Sequence, residues 1–307
     1  MFTSYHILAV AGHRDATPTF DHEEQLVADT LRSRGIPFQA FAMKQLHRRQ
    51  LGFGQASSTA QKGSTTEDGS GSSELPVAVA PFVFGDLDCV TTTMKCLNMP
   101  PRQVLLSCYP PQLEDLLHRK VWRSTLREFL TASDAPDVFV KPLERQKLFT
   151  GFVAKRSGSG SWMGQLSNMR GSEPIFCSEA VEWLSEFRVY VLTGRGIIAM
   201  DCYSGDAAAY PLDQAVVDEA VGRCSDDAAF PVAFALDFGV MRRRPHDCKT
   251  TPQEEQLAVE VTALVEANDA LGLGAYDGIS APSYTDMVLA RWAQLLEERS
   301  MPLSKKD

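Results

Sequence analysis

Apolar and polar positions along the chain follow two periods, and the changes from one to the other divide it into elements. Residues 5–11 form a short continuous apolar run of the kind that becomes a buried strand. Residues 23–33 carry Leu26, Val27, Thr30 and Leu31 at helical spacing, and Arg34-Gly35 stops them. Residues 36–42 alternate well enough for a second strand. Strand, helix, strand opens a layered α/β domain. Between 55 and 74 the periodicity disappears: Ser, Thr and Gly dominate, and no large apolar side chain occurs. Burial there cannot offset the entropy of ordering the chain. The stretch is expected to be a disordered insertion inside the first domain, because the strand-like run 77–85 follows it.

An apolar stretch at 104–108 comes next, and then residues 113–130 place Leu113, Leu116, Leu117, Val121, Leu126 and Leu130 on a near-heptad face. That spacing predicts one long amphipathic helix. Residues 137–155 are two β-rich runs around a polar, basic loop, and a second Gly- and Ser-rich stretch, 157–172, interrupts again. After it, strands at 189–192, 196–201, 233–238 and 262–266 alternate with helices at 212–223 and 252–259. A final helix at 283–299 and a frayed tail, 301–307, close the chain. No internal repeat is evident.

Hydrophobic residues make up 44% of the 307 positions, enough for a core. Lys and Arg number 30 against 39 Asp and Glu, a net charge of −9. Nucleic-acid binding needs a concentrated basic face. Only short clusters such as Arg242, Arg243 and Arg244 occur, which excludes nucleic acid as the main ligand. No apolar run reaches the roughly 18 residues of a membrane span. The N-terminal run is too short, and lacks the basic flank, for a signal peptide. Seven cysteines never stand as C-x-x-C, which argues against disulfides and a structural zinc and for a reducing compartment, most simply the cytoplasm.

Chemistry concentrates in three segments, around Lys141, Arg188 and Glu266, with Asp237 beside them. Within Thr262 to Asp269 the strand period puts Glu266 and Asn268 on one face and Ala267 on the other. A Glu-x-Asn pair supplies hard oxygen ligands to a divalent cation. Asp237 is expected to end another apolar strand; if the two strands are neighbours, three oxygen donors converge. Lys141 closes an apolar run before Pro142, and Lys147 follows in the next turn, a pair able to cradle a polyphosphate. Glu186 and Arg188 share one strand face, where an arginine is either a cross-strand ion pair or a bidentate phosphate clamp.

Lysine in an apolar strand, an acid-bearing hinge, an aspartate strand and a terminal Glu-x-Asn together resemble the ATP-grasp ligases. More narrowly, 139–151 (FVKPLERQKLFTG), 178–191 (SEAVEWLSEFRVYV), the 203–211 turn, 235–240 (ALDFGV) and 264–277 (LVEANDALGLGAYD) resemble the clade named for one arginine and two lysines. Residues 109–130 also look similar, and the resemblance runs over 113–296. It implies an α/β (α+β) fold: a small N-terminal α/β domain (1–112, with insertion 55–74), then a two-subdomain ATP-grasp fold with mainly antiparallel sheets. The subdomains would be 113–176, with a flexible loop at 157–172, and 177–300.

The resemblance also implies roles. Lys141 and Lys147 would contact ATP phosphates, and the hinge through Glu179, Val181 and Glu182 would hold adenine and ribose, with Glu186 also on the nucleotide side. Arg188, with Lys147, would stabilise the transferred phosphoryl group. Asp237, Glu266 and Asn268 would hold Mg2+. The implied activity is an ATP-dependent ligase joining a carboxylate to an amine, or less often a thiol, through an acyl-phosphate. Small-molecule or peptide substrates are expected, with peptide or amino-acid ligation among the possibilities. An early cation could come from Arg119, Lys120 or Arg123, and the sequence does not choose. The rival reading is a nucleotide-binding scaffold that has lost catalysis and acts through a protein partner. Asp237-Phe238-Gly239 and His13-Arg14-Asp15 do not make a protein kinase, because their separation is far too long. Gly272 to Gly278 has the wrong spacing for a dinucleotide fingerprint and reads as a turn into the last helix.

Overall fold

The computed structural model describes residues 20–36, 38, 40–48, 82–97, 108–132, 137–143, 148–155, 164, 166, 169–243 and 259–300. The expectations for 5–11, 55–74, Lys147, 252–258, 301–307 and most of 77–85, 104–108 and 157–172 lie outside them.

Among the described residues two four-stranded sheets carry the architecture, and every pairing in them is antiparallel. The first has the order β1-β4-β2-β3, from β1 (Val121–Thr125), β2 (Val138–Pro142), β3 (Phe152–Ala154) and β4 (Pro174–Glu179). The second has the order β6-β5-β7-β8, from β5 (Trp183–Leu192), β6 (Gly196–Gly205), β7 (Ala233–Arg243) and β8 (Val259–Asp269). Residues 180–182 join the sheets, whereas the expected seam at 176/177 falls inside β4.

Helices close the apolar faces. α1 (His22–Ser33) starts on a capping box, with the Glu24 N–H donating to Asp21 at 2.9 Å and the Asp21 N–H to Glu24 at 3.2 Å. Its Val27 and Leu31 are fully buried with Val90 and Met94 of α3 (Leu87–Cys96), beyond the five-residue α2 (Met43–His47). Met287 and Trp292 of the last helix, Ala281–Ser300, complete that core against Tyr190 of β5. The helix Gln214–Ser225, here α5, backs the other face of the second sheet, and the last helix is α6. Among the described residues no helix is long and apolar enough to cross a membrane.

The long helix expected over 113–130 does not form. Pro110 and Pro111 open a 3₁₀ helix, Pro111–Leu117, and His118 turns the chain through a left-handed conformation, φ 49°. β1 follows, and Thr125 then caps α4 (Leu126–Thr131), accepting from the Glu128 N–H at 3.3 Å. Four of the five leucines are buried, but in separate cores: Leu113, Leu116 and Leu117 lie under the second sheet and Leu126 under the first, while Leu130 is exposed. A heptad-like spacing across three elements imitated one helix. The second strand expected at 36–42 reduces to a single bridge at Phe41 among the described residues. β7 and β8 run well beyond the predicted 233–238 and 262–266, so Asp237 and Glu266 stand within strands instead of ending them.

Candidate active site

β5 and β7 set the centre of the site by register. Arg188 stands opposite Asp237 on one side and Asp201 of β6 on the other, so all three side chains share a face. The guanidinium meets the Asp237 carboxylate in a fork, Nε to Oδ1 at 2.8 Å and Nη2 to Oδ2 at 2.7 Å. Asp237 is 1% exposed, so this is the buried form of the cross-strand pair that the sequence allowed. The third donor, Nη1, reaches the Gly274 carbonyl at 3.1 Å. That carbonyl also accepts from the Tyr190 hydroxyl at 3.3 Å, and the Tyr276 N–H donates back to Tyr190 at 2.9 Å. The 272–276 turn is thereby fastened to Arg188, with Gly272 at φ +71° supplying its left-handed step.

β8 brings the second acid. Asp237 and Glu266 are register partners, and the Asn268 amide donates to both, at 3.2 Å to Asp237 and 3.3 Å to Glu266. The three expected oxygen-bearing residues do converge. Lys141 arrives from the first sheet. Val138 and Val140 point into that sheet's own core, which leaves Lys141 on the opposite face. Its ammonium donates to Glu266 at 2.5 Å and lies 4.5 Å from the centre of the Tyr109 ring.

Electrostatics follow from burial and pairing. Burial is the largest influence and opposes the charge on Lys141, but Glu266, Tyr109 and Cys108 together outweigh it and the pKa is raised. Burial also works against Glu266, yet Lys141 holds its carboxyl below the usual range. For Asp237 burial prevails over the Arg188 fork and pushes the carboxyl up. Glu186 is raised mainly by burial; it accepts from the Tyr203 hydroxyl at 3.2 Å. Tyr203 stacks on Tyr276 with centroids 5.0 Å apart, and Arg188 lies beneath both rings. Burial pushes the Tyr190 hydroxyl up to about 12.

The nucleotide-side expectations sit elsewhere. Glu179 and Glu182 are exposed and Val181 is half-buried, all three at or within the 180–182 connection. The Lys120 N–H donates to the Glu179 carboxylate at 2.8 Å and the Glu179 N–H to the Lys120 carbonyl at 3.0 Å, which ties this connection to β1. None of the three makes a hydrogen bond to the Asp237–Glu266 cluster among the described residues, and Lys147 lies outside them. Of the three early cations, Arg119 is the one turned toward β8: its guanidinium donates to the Leu264 carbonyl at 2.6 Å and the Val265 carbonyl at 2.9 Å. Tyr109, Tyr203 and Tyr276 line the site without having been singled out as site residues. Their aromatic character alone carries no such signal.

Among the described residues no three His, Cys, Asp or Glu side chains gather as a metal cluster. The donor set is two carboxylates and an amide, which by type suits a hard cation such as Mg2+. Both acids are presently matched to side-chain cations, Asp237 to Arg188 and Glu266 to Lys141.

Residues 116–287, more than half of the chain, match the ATP-grasp domain family described as family 2 of the clade named for one arginine and two lysines. The chain belongs to this family. Solved structures similar to this ATP-grasp chain include the RimK domain protein ATP-grasp from Sphaerobacter thermophilus, at 13% identity and TM-score 0.48 over 92% of this chain and 99% of that one. Another is the D-alanine--D-alanine ligase from Bacillus anthracis, at 9% identity and TM-score 0.45 over 97% and 100%. A third is the ATP-grasp ligase PsnB complexed with minimal precursor, at 13% identity and TM-score 0.46 over 94% and 99%. No curated protein matches the chain. Two mainly antiparallel sheets with helices on their outer faces are the expected ATP-grasp fold class.

Proposed function

We propose that the chain is an ATP-dependent ligase that activates a carboxylate as an acyl-phosphate and joins it to an amine in the cleft between its two sheets. The observation that carries this reading is the meeting of Lys141, from the first sheet, with the Asp237–Glu266–Asn268 cluster of the second. Two acids and two cations balance there, so the cleft is ready to exchange partners: the acids toward a divalent cation, the cations toward phosphate. Asp237, Glu266 and Asn268 are the residues that would hold Mg2+, which would neutralise phosphate charge. Lys141, with Lys147, holds the phosphates, and the 180–182 connection with Glu179, Val181, Glu182 and Glu186 holds the nucleoside. Arg188 steadies the phosphoryl group as it moves to the carboxylate oxygen. The amine then attacks the acyl carbon, the carbon–oxygen bond to phosphate breaks, and inorganic phosphate leaves with the amine proton lost to solvent. Because phosphorylation activates the carboxylate, no serine or cysteine nucleophile is required.

We place the small N-terminal α/β domain at 1–112 and the ATP-grasp subdomains on either side of 180–182. Small-molecule or peptide acids and amines are the substrate class, and the setting is the cytoplasm. The test is ATP turnover against panels of carboxylates with hydroxylamine as the amine. Carboxylate-dependent ADP release with hydroxamate formation supports the acyl-phosphate route. Nucleotide binding with no ADP release under any pairing supports the scaffold reading instead.

A further inference from the structure

Glu266 and Leu264 stand two apart in one strand, and residues so spaced normally share a face. Here they do not. Leu264 is 0% exposed in the core beneath the second sheet, while Glu266 reaches Lys141 on the opposite side. The register explains the change: Asp237 pairs with Glu266 and Phe238 with Leu264, which leaves Val265 unmatched as a bulge. A bulge interrupts the ladder and leaves backbone groups that need other partners. Arg119 meets two of them, the Leu264 carbonyl at 2.6 Å and the Val265 carbonyl at 2.9 Å, and anchors itself on the Leu117 carbonyl at 3.1 Å. Its position is fixed further by the Tyr109 and Trp183 rings, whose centres lie 5.9 and 5.2 Å from the guanidinium carbon. Trp183 in turn lies over Gly239, where an added Cβ would come within 2.5 Å of the indole.

We infer that Arg119 is a positioning residue that clamps the Val265 bulge and thereby aims Glu266 into the cation site, in place of a direct contact with nucleotide. Only a guanidinium fits the task, since a rigid planar fork spans successive carbonyls where an ammonium is a single point of charge. The inference rests on Glu266 being a ligand of the proposed cation site.

The experiment titrates Mg2+ into protein with ATP, reading thermal unfolding and binding heat, for wild type, Arg119→Met, Arg119→Lys, Glu266→Gln and the Arg119→Met/Glu266→Gln double variant. Loss of a residue that orients a ligand weakens metal affinity about 10–100-fold, and Arg119→Met is expected to do so without changing ATP affinity in the absence of Mg2+. Arg119→Lys should fail to restore it. In the Glu266→Gln background, Arg119→Met should add about twofold or less, because the two changes act on one ligand. Equal losses in both backgrounds, or a loss of Mg2+-free ATP affinity, would overturn the inference. Amide exchange of the milder Arg119→Lys variant gives a second reading: exchange should accelerate at 265–267 while 235–238 stays protected, and unchanged exchange there contradicts the clamp. A wild type that shows no Mg2+-dependent change removes the cation site and this inference with it. A wild-type response indifferent to Arg119 removes the inference alone.

Discussion

Arg188–Asp237 lies within one sheet and is fixed by register, whereas Lys141–Glu266 joins two sheets and depends on their approach. In the first, the side chains are 11% and 2% exposed, and a fork of two hydrogen bonds fixes the carboxylate between β5 and β7. In the second they are 11% and 29% exposed, a single ammonium makes the contact, and the acid retains a route to solvent. The first pair is therefore part of the folded sheet and the second part of the closed cleft. Within one site, register sets where Arg188 and Asp237 stand, and the approach of the sheets sets whether Lys141 and Glu266 meet.

Removing one partner of each pair should expose that division most sharply. Asp237→Asn leaves Arg188 without its buried counter-charge and should cost about 3–5 kcal/mol of stability as well as turnover. Urea unfolding beside ATP turnover checks this, and an Asn variant as stable as wild type would mean the fork carries no structural load. Lys141→Met should abolish turnover with a smaller stability loss than Asp237→Asn, because the Glu266 carboxylate left behind keeps a route to solvent. A loss as large as that of Asp237→Asn would erase the distinction.

Two smaller effects sharpen it. Gly239→Ala places a methyl against the Trp183 ring and the Ser185 carbonyl, and overpacking of this kind costs about 1–3 kcal/mol. Calorimetric melting would register it, and an unchanged melting temperature would show that Trp183 yields. Acid titration of the ligand-free protein should separate the pairs by the direction in which each carboxyl is displaced. Glu266, with its folded pKa depressed, adds stability above its unfolded pKa that is lost as the pH falls through the folded value. Asp237, with its pKa raised by burial, takes up its proton at higher pH than an ordinary aspartate. Carboxyl NMR should therefore show Asp237 titrating above the usual aspartate range and Glu266 below the usual glutamate range; a depressed Asp237 would mean the fork outweighs burial.

The motif strands were legible in the sequence because their chemistry sits on short local periods. Glu266 and Asn268 share a face with Ala267 behind them, and Lys141 stands off its own core, both as alternation required. What alternation could not reveal was interruption. Leu264-Val265-Glu266 puts an apolar and an acidic residue two apart, which signals a bulge only once Leu264 is known to be buried. The 113–130 stretch failed for the opposite reason: its leucines kept helical spacing through a 3₁₀ helix, a strand and a short helix, and nothing in that spacing marked the turn at His118. Arg119 could not be chosen over Lys120 and Arg123 because its partners are backbone carbonyls about 145 residues away, which carry no side-chain signature.

The most direct measurement is the thermal stability of the protein with ATP, with and without Mg2+, for wild type and Asp237→Asn. With ATP at 100 times its dissociation constant, binding should add about 2.7 kcal/mol. Wild type should gain this with Mg2+ present and clearly less from ATP alone, and Asp237→Asn should lack the Mg2+-dependent part of the gain. Equal stabilisation with and without Mg2+, retained in Asp237→Asn, would contradict the proposed cation site and return Asp237, Glu266 and Asn268 to a purely structural role.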